Sequence, residues 1–428
     1  LSDNGASGEG GPNGTVNEMK FFNGIMDTVE DNLAHIDELG SPKTYNHYPN
    51  GWAQAFCAPF KMYKRYANYE GGTADPMIVA WPKGIQSAGE IRHQYTHAVD
   101  VVPTLYECLN IEPPEEVHGY TQSEIEGVSF AHTFDDADAP TKKVAQLYSM
   151  LGTRGVWYQG WHASAVHPAT SGWGGFARDR WELFRLDEDR SQTDDLAAQH
   201  PEKLEELRQL WAMLAGRFQA LPLDDRTPVE VMKEGRPRPG KPRTEYVYYP
   251  DCEPVPQGVA VSTIQRSFDI KAELEVEDEQ PEGVIFAQGS DIGGHTLYLR
   301  NGELNYVYNW LGEVQQKVSS SARFDAGKHE VGVRFEVKGH DQDGSPRGPA
   351  RLFIDGQEVA LGDIKTQPSM FGLEGVVTVG RDTGRPASDE YESPDTFRGG
   401  QVEKVTVAVS GAPFVDPEKA AALAHRRD

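Results

Sequence analysis

The chain has 428 residues, 38% of them hydrophobic and 25% charged, and its 66 acidic against 41 basic side chains leave a net charge of −25. That length exceeds one ordinary core, so two or three domains are expected, while the acidic balance argues against nucleic acid and anionic membrane surfaces as partners. No apolar run reaches membrane-span length, and three widely spaced cysteines, Cys57, Cys108 and Cys252, spell neither a disulfide framework nor a zinc knuckle; a cytoplasmic location is the expectation.

The first stretch, LSDNGASGEGG (Leu1 to Gly11), admits two readings. Taken alone, Ser-Asp-Asn-Gly is a turn, because Asp and Asn bond their own backbone and Gly tolerates positive φ. Alternatively Leu1 ends a buried strand, and Asp3 and Asn4 sit beyond its carboxyl end, where ligands gather on open sheets. Farther on, Lys61, Lys64 and Arg65 precede Glu70-Gly71-Gly72. Three cations beside a glycine pair suit an anion whose departing oxygen gains charge; a solvated amphipathic segment is the plainer alternative. The run Pro76 to Pro82 has the composition of a buried strand. Thr96 to Ile111 predicts a helix with Val99, Val102, Leu105, Tyr106 and Leu109 on its apolar face, and Pro201 opens another striped with Leu204, Leu207, Trp211, Leu214 and Phe218.

Residues 227–257, rich in Pro and basic side chains, read as an extended linker. From 258 to 411 the period becomes two, with Asn301-Gly302 and Asp355-Gly356 between alternating runs, the pattern of hairpins in a β-sandwich. There Tyr306, Tyr308 and Trp310 share one strand face, as core or as a surface on which sugars stack. Residues 412–428 form a C-terminal tail.

The segments SDNGASGEGG, PFKMYKRYANYEGGTADPMIVAWPKGI, HAVDVVPTLYECLNIEPP, EGVSFAHTF and RWELFRLDEDRSQTDDLAAQHPEKLEEL occur in the order found in the latter half of type I sulfatases. The chain resembles bacterial arylsulfatases over about residues 1–220, and its sandwich resembles a concanavalin-like or laminin-G-like domain. The resemblance implies residues 1–226 as the C-terminal portion of an alkaline-phosphatase-like α/β domain, one Ca²⁺, and a formylglycine nucleophile made from Cys or Ser in a Cys/Ser-x-Pro-x-Arg motif. It matches Asp3 and Asn4 to metal ligands and Lys64 to the cation that contacts the sulfate and its leaving oxygen. The spacing departs from the family, since Lys64 lies six residues before Glu70 and Arg65 occupies the usual offset. Cys57-Ala-Pro-Phe-Lys61 imitates the nucleophile motif but belongs to the lysine motif, so no nucleophile is expected in this chain. As the C-terminal part of a longer sulfate-ester hydrolase, the chain alone is expected to be inactive. A phosphodiesterase or phosphonate hydrolase of the same superfamily is the alternative, but His35, His47, His93 and His97 lack acidic partners at motif spacing for its metal pair. A non-catalytic carbohydrate-binding protein is the other alternative, with glycan contact through the sandwich.

Overall fold

A computed structural model describes residues 5–87, 89–167, 176–223, 243–372 and 375–410. Asp3, Asn4, much of the expected linker and the tail at 412–428 lie outside the described residues. The chain divides into two compact units, Leu1–Gly8 with Gly51–Pro228, and Glu9–Asn50 with Val229–Asp428.

The first unit holds a short hairpin, β1 (Glu116–Val117) and β2 (Tyr120–Thr121), and an antiparallel sheet in the order β3 (Ala145–Met150), β4 (Thr153–Tyr158), β5 (Trp161–Ala165) and β6 (Trp181–Arg185). Pro201, whose missing N–H costs nothing at a helix start, opens the helix Pro201–Arg217. Most of its expected stripe packs: Leu207 and Trp211, with Ala215, are buried against Val156, Ala163 and Leu183 of the sheet, Leu204 and Leu214 pack beside them, and Phe218 stays exposed. The helix Val101–Leu109 also forms, after a 3₁₀ turn at Ala98–Asp100. Buried Asp100 joins three segments there, accepting from His97 N, Val128 N and the buried Lys143 ammonium at 2.7–2.8 Å.

Two expectations fail in this unit. The run from Pro76 to Pro82 forms no strand, and Ile78 within it is 86% exposed. Val99, Val102, Leu105 and Leu109, expected as a core face, are exposed as well. Apolar composition favours an extended chain, but a strand also needs a neighbour for its N–H and C=O groups. Among the described residues none pairs with 76–82.

The second unit is a β-sandwich. Its strands are β7 (Glu245–Tyr248), β8 (Val255–Pro256), β9 (Ser267–Val276), β10 (Gly283–Ser290), β11 (Gly293–Arg300), β12 (Glu303–Trp310), β13 (Val314–Ser321), β14 (Gly327–Phe335), β15 (Gly339–His340), β16 (Pro346–Ile354), β17 (Gln357–Lys365), β18 (Val376–Val379), β19 (Arg381–Asp382), β20 (Asp395–Thr396) and β21 (Gly400–Ser410). One sheet runs β13-β12-β11-β10-β18-β8; the other runs β15-β16-β14-β9-β21-β7, with β17 on β16. Alternate residues of β9 (Phe268, Ile270, Ala272, Leu274) meet Phe286, Leu297, Tyr306 and Tyr308 of the opposing sheet in one core. Tyr306 and Tyr308 are therefore core and form no sugar platform. Both hairpins form where expected: Asn301 and Gly302 have φ of 53° and 72°, Asp355 and Gly356 have 47° and 76°, as a type I′ turn requires.

Residues 9–50, expected with the α/β half, group with the sandwich. Met19 enters the sandwich core, Asn17 Nδ2 donates to Leu311 O at 2.8 Å, and Asn23 Nδ2 donates to Met370 O at 3.1 Å. The fold is thus a helical and α/β region followed by an all-β sandwich.

Candidate functional site

Of the segment that opens with the expected ligands Asp3 and Asn4, residues 5–8 are described, and the loop 61–66 is built onto them. Lys64 N–H donates to Ala6 O at 2.9 Å, two residues beyond Asn4. Gly8 lies so close to Tyr63 that a Cβ would stand 2.5 Å from its ring. Beneath the loop, Glu70–Thr73 makes one helical turn. A Cβ on Gly71 would stand 2.2 Å from the carbonyl oxygens of Lys61 and Met62, and one on Gly72 2.3 Å from that of Tyr66. The glycine pair of the motif thus lets the turn pack directly on the backbone that carries Lys64. Met62 and Arg65 hold positive φ, 62° and 91°, so the loop keeps a conformation that side-chain-bearing residues avoid.

The three cations differ in setting. The Lys61 ammonium lies 5.4 Å from the centre of the Tyr69 ring and 5.2 Å from that of Phe184, a cation–π position that commits it to packing. Lys64 and Arg65 are partly buried in the loop. Asp75 closes on the same region, its Oδ1 lying 3.0 Å from where a Cβ on Gly5 would stand. Cys57 donates its thiol to Gly71 O at 3.4 Å, and burial, with Asp75 nearby, pushes its pKa up. A thiol so placed is a poor nucleophile.

A second layer fixes the turn. Glu70 N–H donates to Gln192 Oε1 at 2.6 Å, while Gln192 Nε2 donates to His162 Nδ1 at 3.0 Å and Asn68 O at 3.3 Å. Burial lowers the His162 pKa to about 4, so the imidazole is neutral and accepts from the amide. Burial also raises the Glu70 carboxyl, opposed by the Arg190 guanidinium 3.5 Å away. Tyr69 donates its hydroxyl to Glu182 at 2.7 Å. The motif around RSQTDD thereby supports the Glu-Gly-Gly motif more than a hundred residues earlier. Sequence reading assigned no role to Gln192, His162 or Asp75; only the recurrence of the motifs in one order hinted that they share a site.

Asp3 and Asn4 lie outside the described residues. Among the histidines expected to lack acidic partners, His35 bonds Glu38 at 2.8 Å and His47 faces Glu9 at 3.9 Å.

Residues 1–111 match the family model for sulfatases. An uncharacterized sulfatase of Schizosaccharomyces pombe is 26% identical over 220 residues, 49% of this chain and 36% of its own length, so the chain spans about a third of that relative. Among solved structures, the CBM40 domain of the Ruminococcus gnavus IT-sialidase aligns over 38% of this chain and 84% of its own (17% identity, TM-score 0.26). Domains LG4-5 of the mouse laminin alpha1 chain align over 39% of each chain (16% identity, TM-score 0.24). A Bacteroides thetaiotaomicron protein, described under the metabolism of multiple glycosaminoglycans, aligns over 35% of this chain and 30% of its own (24% identity, TM-score 0.27). The sulfatase likeness thus lies in residues 1–111, ahead of the sandwich strands in the sequence.

Proposed function

We propose that this chain supplies the C-terminal part of an arylsulfatase active site, hydrolysing small sulfate esters together with a segment that bears the nucleophile. The observation that supports the reading is the hydrogen bond from Lys64 N–H to Ala6 O, which ties the backbone of the candidate cation to a residue two positions along the chain from Asn4. Asp3 and Asn4 offer the carboxylate and amide oxygens that a hard cation takes, and the Asp75 carboxylate adjoins Gly5 in the same region. A Ca²⁺ ion held there would withdraw charge from the sulfate oxygens, and a formylglycine hydrate from the remaining segment would supply the attacking oxygen. Lys64 binds the sulfate and neutralises the ester oxygen as its bond to sulfur breaks. The Glu70 turn, braced by Gln192, holds the Lys64 loop so that this charge need not reorganise during reaction.

The test uses a protein containing this chain and the nucleophile segment. Lys64→Ala should lower kcat by about 30- to 1000-fold with a smaller change in KM, the cost of about 2 to 4 kcal/mol for one charge-assisted contact made in the transition state. The penalty should shrink with acidic phenol leaving groups. Arg65→Ala is the control: a crippled Arg65→Ala beside a nearly normal Lys64→Ala would transfer the role to Arg65. Appreciable aryl sulfate turnover by the 428-residue chain alone, with Ca²⁺ present, would refute the division of the active site between segments.

A further inference from the structure

We propose a divalent transition-metal site of the zinc class, formed by Glu9, Glu18 and His47 in the sandwich unit. One potential ligand atom from each of these side chains lies within 4.8 Å of the others. The proposal does not depend on the sulfate-ester reading and uses none of the residues assigned to Ca²⁺.

Three separate segments bring the trio together, and each is fixed by backbone contacts. Thr15 and His47 exchange both N–H···O bonds, at 2.9 and 2.8 Å; Tyr45 N–H donates to Val16 O at 3.1 Å, and Glu18 N–H donates to Tyr45 O at 2.7 Å. Glu18 opens the helix Glu18–Phe22, capped by the Asn17 side chain, which accepts from Met19 N. Asn50 N–H donates to Gly11 O at 2.8 Å, holding the loop after Glu9. A Cβ on Gly10 would stand 2.1 Å from Tyr48 O and 3.1 Å from His47 Nδ1, so only glycine lets that loop lie against the histidine.

The histidine is oriented as a ligand. Its Nδ1 lies 3.1 Å from Tyr48 O, and because a carbonyl only accepts, Nδ1 carries the proton. The other ring nitrogen, Nε2, faces Glu9 Oε2, 3.9 Å away, where both side chains are only 12–13% exposed. That separation is too long for a hydrogen bond. Two donors in a tetrahedral shell at about 2.0–2.2 Å from one ion stand about 3.3–3.6 Å apart, so the pair would close by a few tenths of an ångström around it. A backbone carbonyl on the far nitrogen is the usual outer partner of a metal-bound imidazole. One imidazole nitrogen and two carboxylates suit Zn²⁺ or Co²⁺, with water completing the shell, whereas Ca²⁺ prefers oxygen throughout.

The test is titration of the chelator-treated chain with Zn²⁺, and with Co²⁺ as a spectroscopic probe. One equivalent should bind at micromolar or lower concentration, and Co²⁺ should develop visible absorption shifted by nitrogen ligation. Glu9→Gln, Glu18→Gln and His47→Gln should each weaken binding at least tenfold, Asp3→Ala should leave it unchanged, and millimolar Ca²⁺ should not displace Zn²⁺. The two Glu→Gln changes preserve shape, and metal-free melting curves matching that of the parent show that the fold survives. Absence of stoichiometric binding, or binding that persists in folded Glu9→Gln and Glu18→Gln chains, overturns the proposal. Loss of the ion on Asp3→Ala alone overturns it too, by placing the metal at the opening segment.

Discussion

His162 shows how a single buried group makes the α/β unit depend on pH. Its side chain is enclosed beside the sheet, with Nδ1 accepting from Gln192, and burial lowers its pKa from 6.5 to about 4. The unfolded chain therefore takes the proton first as pH falls. The stability contributed by the neutral ring is complete above pH 6.5 and is lost as pH falls toward 4. Between pH 7.5 and 5 this amounts to about 2 kcal/mol. Urea unfolding of the α/β unit should show that loss, and His162→Gln, which keeps an acceptor for Gln192, should show about 2 kcal/mol less of it. Equal losses in parent and variant would assign the pH dependence to other groups. None of this was legible in the sequence, where His162 is one of 13 histidines and its partner Gln192 lies thirty residues away. Lys64 was more accessible, because its motif is local: cations, a fixed interval, then Glu-Gly-Gly.

Among the elements, those specified by neighbouring residues were the ones read correctly. Asn-Gly and Asp-Gly dictate their turns through their own φ, and the helix Pro201–Arg217 carries both its start signal and its stripe. The Pro76 to Pro82 run looked like a strand by the same local logic, yet pairing is a property of two segments. Association of residues 9–50 with the sandwich rests on contacts such as Asn17 to Leu311, for which local sequence offers no signal. The Glu-Gly-Gly turn gives a test at this scale. Gly71→Ala would push a methyl group to 2.2 Å from two carbonyl oxygens of the loop, so it should destabilise the unit by about 1 to 3 kcal/mol. Gly216→Ala, in the long helix with no atom within 4 Å of the new Cβ, should instead stabilise it by about 0.5 to 1 kcal/mol. Thermal melts of the two variants should therefore move in opposite directions, and a neutral Gly71→Ala would mean that the turn is not packed as described.

For the whole molecule, the informative feature is the apolar surface of the α/β unit. Ile78 is 86% and Leu105 55% exposed, and Met77, Val79, Val99 and Val102 are exposed as well. Isolated exposed hydrophobics are ordinary, but several on one unpaired extended run and along one helix are what a surface covered by a partner segment would show. On the proposed arylsulfatase reading, the cover would be the segment carrying the nucleophile, pairing with residues 76–82 and burying Leu105. Ile78→Ser and Leu105→Gln then have opposite expectations in two contexts. In the 428-residue chain, where both side chains already meet water, each should change unfolding stability by less than about 0.5 kcal/mol. In a protein that also contains the nucleophile segment, each should cost about 2 to 5 kcal/mol, because a buried aliphatic group is replaced by a polar one without a built partner. The measurement is paired denaturant unfolding of both variants in both chains. Small effects in both contexts would leave this face uncovered in the longer protein and would remove the support that the exposed run lends to the proposed division of the active site.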